Sequence, residues 1–163
     1  MTIVEESHWG GNCMNKACIP SKFLMTVAAT VARVRRAGRF GIGVGDPEVD
    51  LEALHERKDL IIEGLRMGTE QLLADYGVTL VEGRGKLVAQ GAVRVDSPTA
   101  SPSEGRVIKA RNVVVATGSV PAQPPIEGVD LPGVIGTEEA IELRQAPPRI
   151  AIVGSKPWDL ELA

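Results

Sequence analysis

At 163 residues, with 44% apolar content and a formal charge of −3, the chain has the composition of a soluble globular protein large enough for one core. Lys and Arg, 18 together, are outnumbered by 21 Asp and Glu, and the short cluster Arg33, Arg35 and Arg36 reads as a solvated helix face, which argues against nucleic acid as a partner. The longest uninterrupted apolar runs, such as 113–116 and 150–153, fall far short of the roughly 20 residues needed to cross a bilayer, so no membrane segment is expected.

Residues 1–6 predict a buried parallel strand, with Thr2, Ile3 and Val4 running into the acidic Glu5, rather than a signal peptide. Gly10 and Gly11 break it. From 20 to 37, Leu24, Val27, Ala28 and Val31 follow the i, i+3, i+4, i+7 spacing of an amphipathic helix, with Pro20 in the first turn and Gly38 as the stop. Residues 39–47 read as a loop. A second helix is expected over 51–76, its stripe formed by Leu54, Lys58, Ile61, Leu65, Gly68 and Leu72, the Lys stem covering apolar surface.

The period then changes to two, predicting short strands at 78–82, 86–95 and 106–110, separated by Gly-rich or Ser/Pro-rich turns, as a small antiparallel meander. The apolar run 112–117 reads as a strand buried on both faces, 121–132 as loop, and 134–145 as a mixed stretch leading into a linker at Pro147 and Pro148. A new strand at 149–154 should feed the first turns of a helix over 155–163.

Cys13 and Cys18 enclose four residues. In a regular helix, positions five apart rise about 7.5 Å, against the roughly 5.5–6 Å between the Cα atoms of a disulfide, so pairing requires irregular chain before Pro20. Two cysteines without a secretion signal suit a reducing compartment, here the cytoplasm. Cys18, near a helix N-terminus, is expected to be the better thiolate, and Cys13, in the loop, the more accessible thiol. Zinc would need about four ligands, and only His8 and His55 could join the thiols, so no metal site is expected. Two inert buried cysteines remain an alternative on spacing alone.

The run Gly10-Gly11-Asn12-Cys13-Met14-Asn15-Lys16-Ala17-Cys18-Ile19-Pro20-Ser21-Lys22 resembles the redox signature of the class I pyridine-nucleotide-disulfide oxidoreductases. Its Ile-Pro-Ser-Lys ending is most similar to dihydrolipoamide dehydrogenases, with mercuric and glutathione reductases as relatives. The resemblance implies an α/β FAD/NAD(P)-binding, Rossmann-like fold of glutathione-reductase type with a small antiparallel meander. It implies a partial FAD-binding domain over 1–146 and the start of a nicotinamide-binding domain over 147–163.

Carried over residue by residue, the resemblance makes Cys13 and Cys18 the redox pair and Lys22 a fixed positive charge near the flavin, paired with Glu161. Glu5 would bind the adenosine ribose, Gly10, Gly11 and Asn12 the dinucleotide, Gly85 the adenine, and Ala116, Thr117 and Gly118 the flavin's second motif. The cofactors implied are FAD and NAD, the substrate a small dithiol, disulfide or lipoyl group, and the assembly a homodimer.

The same resemblance places a first strand and Gly-x-Gly-x-x-Gly turn before Met1, and a nicotinamide domain and a dimerisation domain after Ala163, so the chain reads as a segment of a longer enzyme. Two departures stand inside it. Gly154, Lys156 and Asp159 occupy the three glycine positions of the nicotinamide motif, which argues against NAD binding at that turn. Ala17 replaces a usual Gly and is expected to restrict the loop between the thiols. Two functions follow from these residues: an enzyme segment of dihydrolipoamide dehydrogenase type, or a catalytically silent remnant whose cysteines exchange without hydride chemistry.

Overall fold

The computed structural model describes residues 1–96 and 105–162. The Ser/Pro-rich turn expected between the second and third strands of the meander, and Ala163 at the end of the last helix, lie outside the described residues. Two compact units are present, Met1–Gly11 with Gly64–Gly118, and Asn12–Glu63 with Ser119–Ala163.

In the first unit, β1 (Thr2–Glu5) lies parallel to β2 (Thr79–Glu82), in register from Thr2 opposite Thr79 to Glu5 opposite Glu82. The ladder continues beyond both ends, Thr79 N–H donating to Met1 O at 2.9 Å and Gly83 N–H to Glu5 O at 2.8 Å. The meander is β3 (Arg84–Ala89), β4 (Ala92–Asp96) and β5 (Arg106–Lys109), all antiparallel; the strand expected at 78–82 is not part of it but is β2, since its backbone completes the hydrogen bonds of β1. What the period-two pattern joins as one strand over 86–95 is a hairpin. Gly91 turns the chain at φ 68°, and an added Cβ there would lie 2.5 Å from Ala110 O, so hydrophobic alternation runs through a turn that only glycine permits. Val95, 4% exposed, is the centre of this unit's apolar packing.

The run 112–117 forms no strand. Val114 is 88% exposed and Val115 71% exposed. An apolar run becomes a buried strand only when neighbours complete its hydrogen bonds, and among the described residues β1 pairs with β2 alone. For the same reason the expected strand at 149–154 has no regular structure, with Val153 80% exposed.

In the second unit, α1 (Gly11–Asn15) and α2 (Cys18–Arg36) are separated by Lys16 and Ala17, and a single turn of 3-10 helix over Ala37–Phe40 follows. The expectation of a first helix beginning at Pro20 misses α1 and the opening residues of α2. Gly11–Phe40 contains a window of mean hydropathy 1.3 and by length and composition passes for a membrane span, as core helices do. Counting uninterrupted apolar residues overlooks it because Lys16, Lys22 and the arginines interrupt it.

Helix α3 (Leu51–Asp75) begins in this unit and follows the expected stripe only over its first half, where Lys58 is buried and Leu54 and Ile61 are half-buried. Leu65 and Leu72 are exposed, whereas His55, Lys58 and Ile62 are buried. Lys58 does more than cover the core with its stem: its ammonium group is enclosed, bonded to Glu142 Oε1 and 3.4 Å from Asp59 Oδ1. His55 Nε2 bonds Leu143 O at 2.8 Å, while its Nδ1 is buried without a hydrogen-bond partner, 3.9 Å from Glu142 Oε2. These contacts hold the end of α4 (Thr137–Ile141), which stands inside the stretch read as linker and buries Ile141. Helix α5 (Pro157–Leu162) packs with α2 and α4.

A buried ammonium that loses its partner is worse than no ammonium at all. Glu142→Ala should therefore lower the unfolding free energy by about 2 kcal/mol, and Lys58→Met by less, as read by urea denaturation.

Candidate active site

The break at Lys16 and Ala17 decides where the two sulfurs lie. Ala17, 7% exposed, has φ −127° and ψ −101°, so the chain leaves helical geometry there and resumes it at Cys18. Cys13 is exposed on α1, Cys18 is half-buried as the first residue of α2, and both are free thiols.

Cys13 is the largest influence on Cys18: as a hydrogen-bonding partner and as a charge, and together with burial, it raises the Cys18 thiol above its ordinary value. The backbone amide of Cys18 and the charge of Lys22 pull the other way and are outweighed. The expectation that the helix N-terminus makes Cys18 the better thiolate is thus corrected: a neighbouring second sulfur is a stronger influence than the helix opening.

One turn along α2, Lys22 Nζ lies 2.5 Å from Glu161 Oε1 on α5. The hydrogen bond from Lys22 holds the Glu161 carboxyl below the usual value of 4.5; partial burial opposes this, while the charge of Lys22 and a hydrogen bond from Ser21 add to it. Ser21, 2% exposed, is a residue that sequence reasoning missed. Its Oγ lies 3.2 Å from Glu161 Oε2 and 3.3 Å from Cys18 O. The signal available was its spacing, three residues after Cys18 and so on the same helix face.

An open cleft of about 220 Å³ adjoins the break, lined by residues that include Asn12, Lys16, Ser119, Glu138 and Trp158. Lys16 Nζ pairs with Glu138 Oε2 at 3.3 Å. His8 and His55 do not join the thiols as ligands: among the described residues no group of three or more His, Cys, Asp or Glu could hold a metal.

The remaining expected residues lie as follows. Glu5 ends β1, with Oε1 accepting the Ser7 N–H at 2.8 Å and Oε2 taking no hydrogen bond among the described residues. Gly10 and Gly11 have φ of 98° and 68°, and a Cβ on Gly11 would meet nothing within 4 Å, so that backbone faces open space. Asn12 is exposed on α1, its carbonyl accepting the Lys16 N–H at 2.9 Å. Gly85 lies within β3 opposite Val95, not in the turn, and a side chain there would touch Val4 Cγ1 at 3.5 Å. Ala116, Thr117 and Gly118 are exposed and irregular. Open backbone at Gly11 and a spare carboxylate oxygen on Glu5 fit a dinucleotide such as FAD.

The nicotinamide turn does not fit. Asp159 Oδ2 accepts the Lys156 N–H at 2.7 Å, and the space a side chain on Gly154 would take is filled by that carboxylate. An anion already sits where a pyrophosphate would have to come.

The two free thiols, near enough for Cys13 to be the largest influence on Cys18, sit on an α/β framework with a small antiparallel meander. The chain belongs to the pyridine nucleotide-disulphide oxidoreductase family, whose model matches residues 1–163. It is 35% identical to a dihydrolipoyl dehydrogenase of Chlamydia muridarum over 99% of this chain and 34% of that protein. To dihydrolipoyl dehydrogenase 2 of Haloarcula marismortui it is 34% identical, again over 99% of this chain and 34% of the relative. The crystal structure of LpdA from Mycobacterium tuberculosis superposes with a TM-score of 0.59 at 20% identity, covering 68% of this chain and 24% of that one, and supports the fold. The chain thus spans about a third of the length of the curated relatives it matches.

Two outcomes follow from these electrostatics. Cys13→Ser removes the sulfur that raises Cys18, so the pH of half-maximal Cys18 alkylation by iodoacetamide should fall. Glu161, depressed in the fold, contributes stability above pH 4.5 that is lost as pH falls through its folded value. Glu161→Gln should therefore cost stability at pH 7, the cost shrinking below pH 4.5 in urea denaturation.

Proposed function

We propose that the chain is the cysteine-bearing part of a flavin-dependent disulfide oxidoreductase of dihydrolipoyl dehydrogenase type. The observation that carries this reading is the two free thiols Cys13 and Cys18 on either side of the helix break before α2, with Lys22 and Glu161 paired one turn away. Residues 1–146 are assigned to the FAD-binding domain and 147–163 to the start of the nicotinamide-binding domain.

Cys13, the more exposed sulfur, is the one an incoming thiol reaches. A substrate thiolate attacks Cys13 in the Cys13–Cys18 disulfide and Cys18 leaves as a thiolate. The second substrate thiol, losing its proton, displaces Cys13, so the substrate ends as a disulfide and the two cysteines hold its two electrons and two protons. A dihydrolipoyl group supplies both thiols on one molecule. Glu5, Gly10, Gly11, Asn12, Lys22, Gly85, Ala116, Thr117 and Gly118 are the residues that would hold FAD. When bound, FAD supplies the two-electron acceptor for the reduced pair. The whole enzyme is read as a cytoplasmic homodimer that passes electrons on to NAD, without membrane or nucleic-acid partners.

A second reading rests on Asp159. With its carboxylate on the Lys156 amide, the chain exchanges thiols but draws nothing from a nicotinamide, a catalytically silent relative.

The test starts from the oxidised chain. Incubation with dihydrolipoamide should yield two new iodoacetamide-reactive thiols, and the Cys13→Ser chain should yield none. Failure of Cys13 and Cys18 to form a disulfide with each other would overturn the proposal. Thiols appearing with dihydrolipoamide but not with NADH and FAD would favour the second reading.

A further inference from the structure

Ser21 has one hydroxyl proton and two acceptors, Glu161 Oε2 at 3.2 Å and Cys18 O at 3.3 Å. At 2% exposure it has little water to fall back on. Glu161 in turn divides its oxygens, Oε1 to Lys22 and Oε2 to Ser21. We propose that Ser21 is a positioning residue which, by holding Glu161 Oε2, fixes how Glu161 shares the positive charge of Lys22 with the Cys18 thiol. The inference rests on the redox reading of that pair.

The physical argument is one of competition. A carboxylate with one oxygen engaged elsewhere draws less on a neighbouring ammonium, leaving more of the Lys22 field for the sulfur one turn back. Without the Ser21 hydroxyl, Glu161 turns both oxygens to Lys22, and the cation is spent on the carboxylate. The Lys22 charge favours the Cys18 thiolate, so its withdrawal makes Cys18 harder to ionise.

The other titratable or charged groups on these elements are Cys13 on α1, Lys16 in the break, Arg33, Arg35 and Arg36 at the far end of α2, Glu138 and Glu139 on α4 and Asp159 on α5. Lys16 is paired with Glu138, and Asp159 with the Lys156 amide. Cys13 acts on Cys18 directly, and none of these groups touches Ser21 through a hydrogen bond among those observed.

The test is a double-mutant cycle read by the rate of Cys18 alkylation with iodoacetamide across pH, in the reduced chain. Ser21→Ala should slow alkylation at pH 8 about threefold, within the range of couplings between residues in one hydrogen-bond network. Its whole profile should move to higher pH. In a Glu161→Gln background, the same substitution should change the rate less than about 1.5-fold, because no carboxylate is left to compete for Lys22. Ser21→Thr, which keeps the hydroxyl, should restore the parent profile in the presence of Glu161.

An equal effect of Ser21→Ala in both backgrounds would overturn the inference and reduce Ser21 to a local helix contact with Cys18 O. So would a Thr variant as slow as Ala with an unchanged circular dichroism spectrum. If the parent chain forms no Cys13–Cys18 disulfide, the redox reading fails instead, and the two failures are told apart in one set of samples.

Discussion

Five residues of regular helix would separate the Cys13 and Cys18 positions by about 7.5 Å along the axis, and the site depends on the chain ceasing to be helical for the length of Lys16 and Ala17. The break turns one continuous apolar segment into two helices, leaves Cys13 exposed in the middle of the first and starts the second at Cys18. Everything else at the site is measured from that start. Ser21 and Lys22 fall in the first turns of α2 and meet Glu161 on α5.

Once the second sulfur is close, its influence dominates. A helix N-terminus favours a thiolate by a modest amount. A neighbouring thiol competes for the same proton at much shorter range, and burial adds to the effect. Reading Cys18 from its place on the helix alone therefore gives the wrong sign, although its place in the fold was legible.

Local signals were readable and completing partners were not. The parallel character of β1 is written in its unbroken apolar residues, and the meander in the period-two pattern from Lys86 to Ala110, but the same pattern at 78–82 belongs to a strand that pairs parallel with β1 instead. Val113 to Val115 and Ile150 to Val153 carry an equally strong strand pattern yet form none, because a strand is a relation between segments and pattern gives only one side of it. The motif from Gly10 to Lys22 pointed directly to the thiols and to Lys22. It could not announce Ser21, whose significance lies in a carboxylate 140 positions away. Nor could the helical stripe of α3 reveal that Lys58 is enclosed, since an ammonium is buried only where a carboxylate such as Glu142 comes to meet it.

The clasp of Lys58 on Glu142 has a bearing on Lys22 as well. Lys22 and Glu161 are 139 positions apart, and bringing them together from a free chain carries the closure entropy of a long loop. With Glu142 already fastened to α3, the carboxylate of Glu161 hangs on a short tether whose other end is fixed. Its effective concentration at Lys22 is set by that tether rather than by the whole chain. The buried lysine on α3 thereby helps govern how often a counter-charge is present beside Lys22.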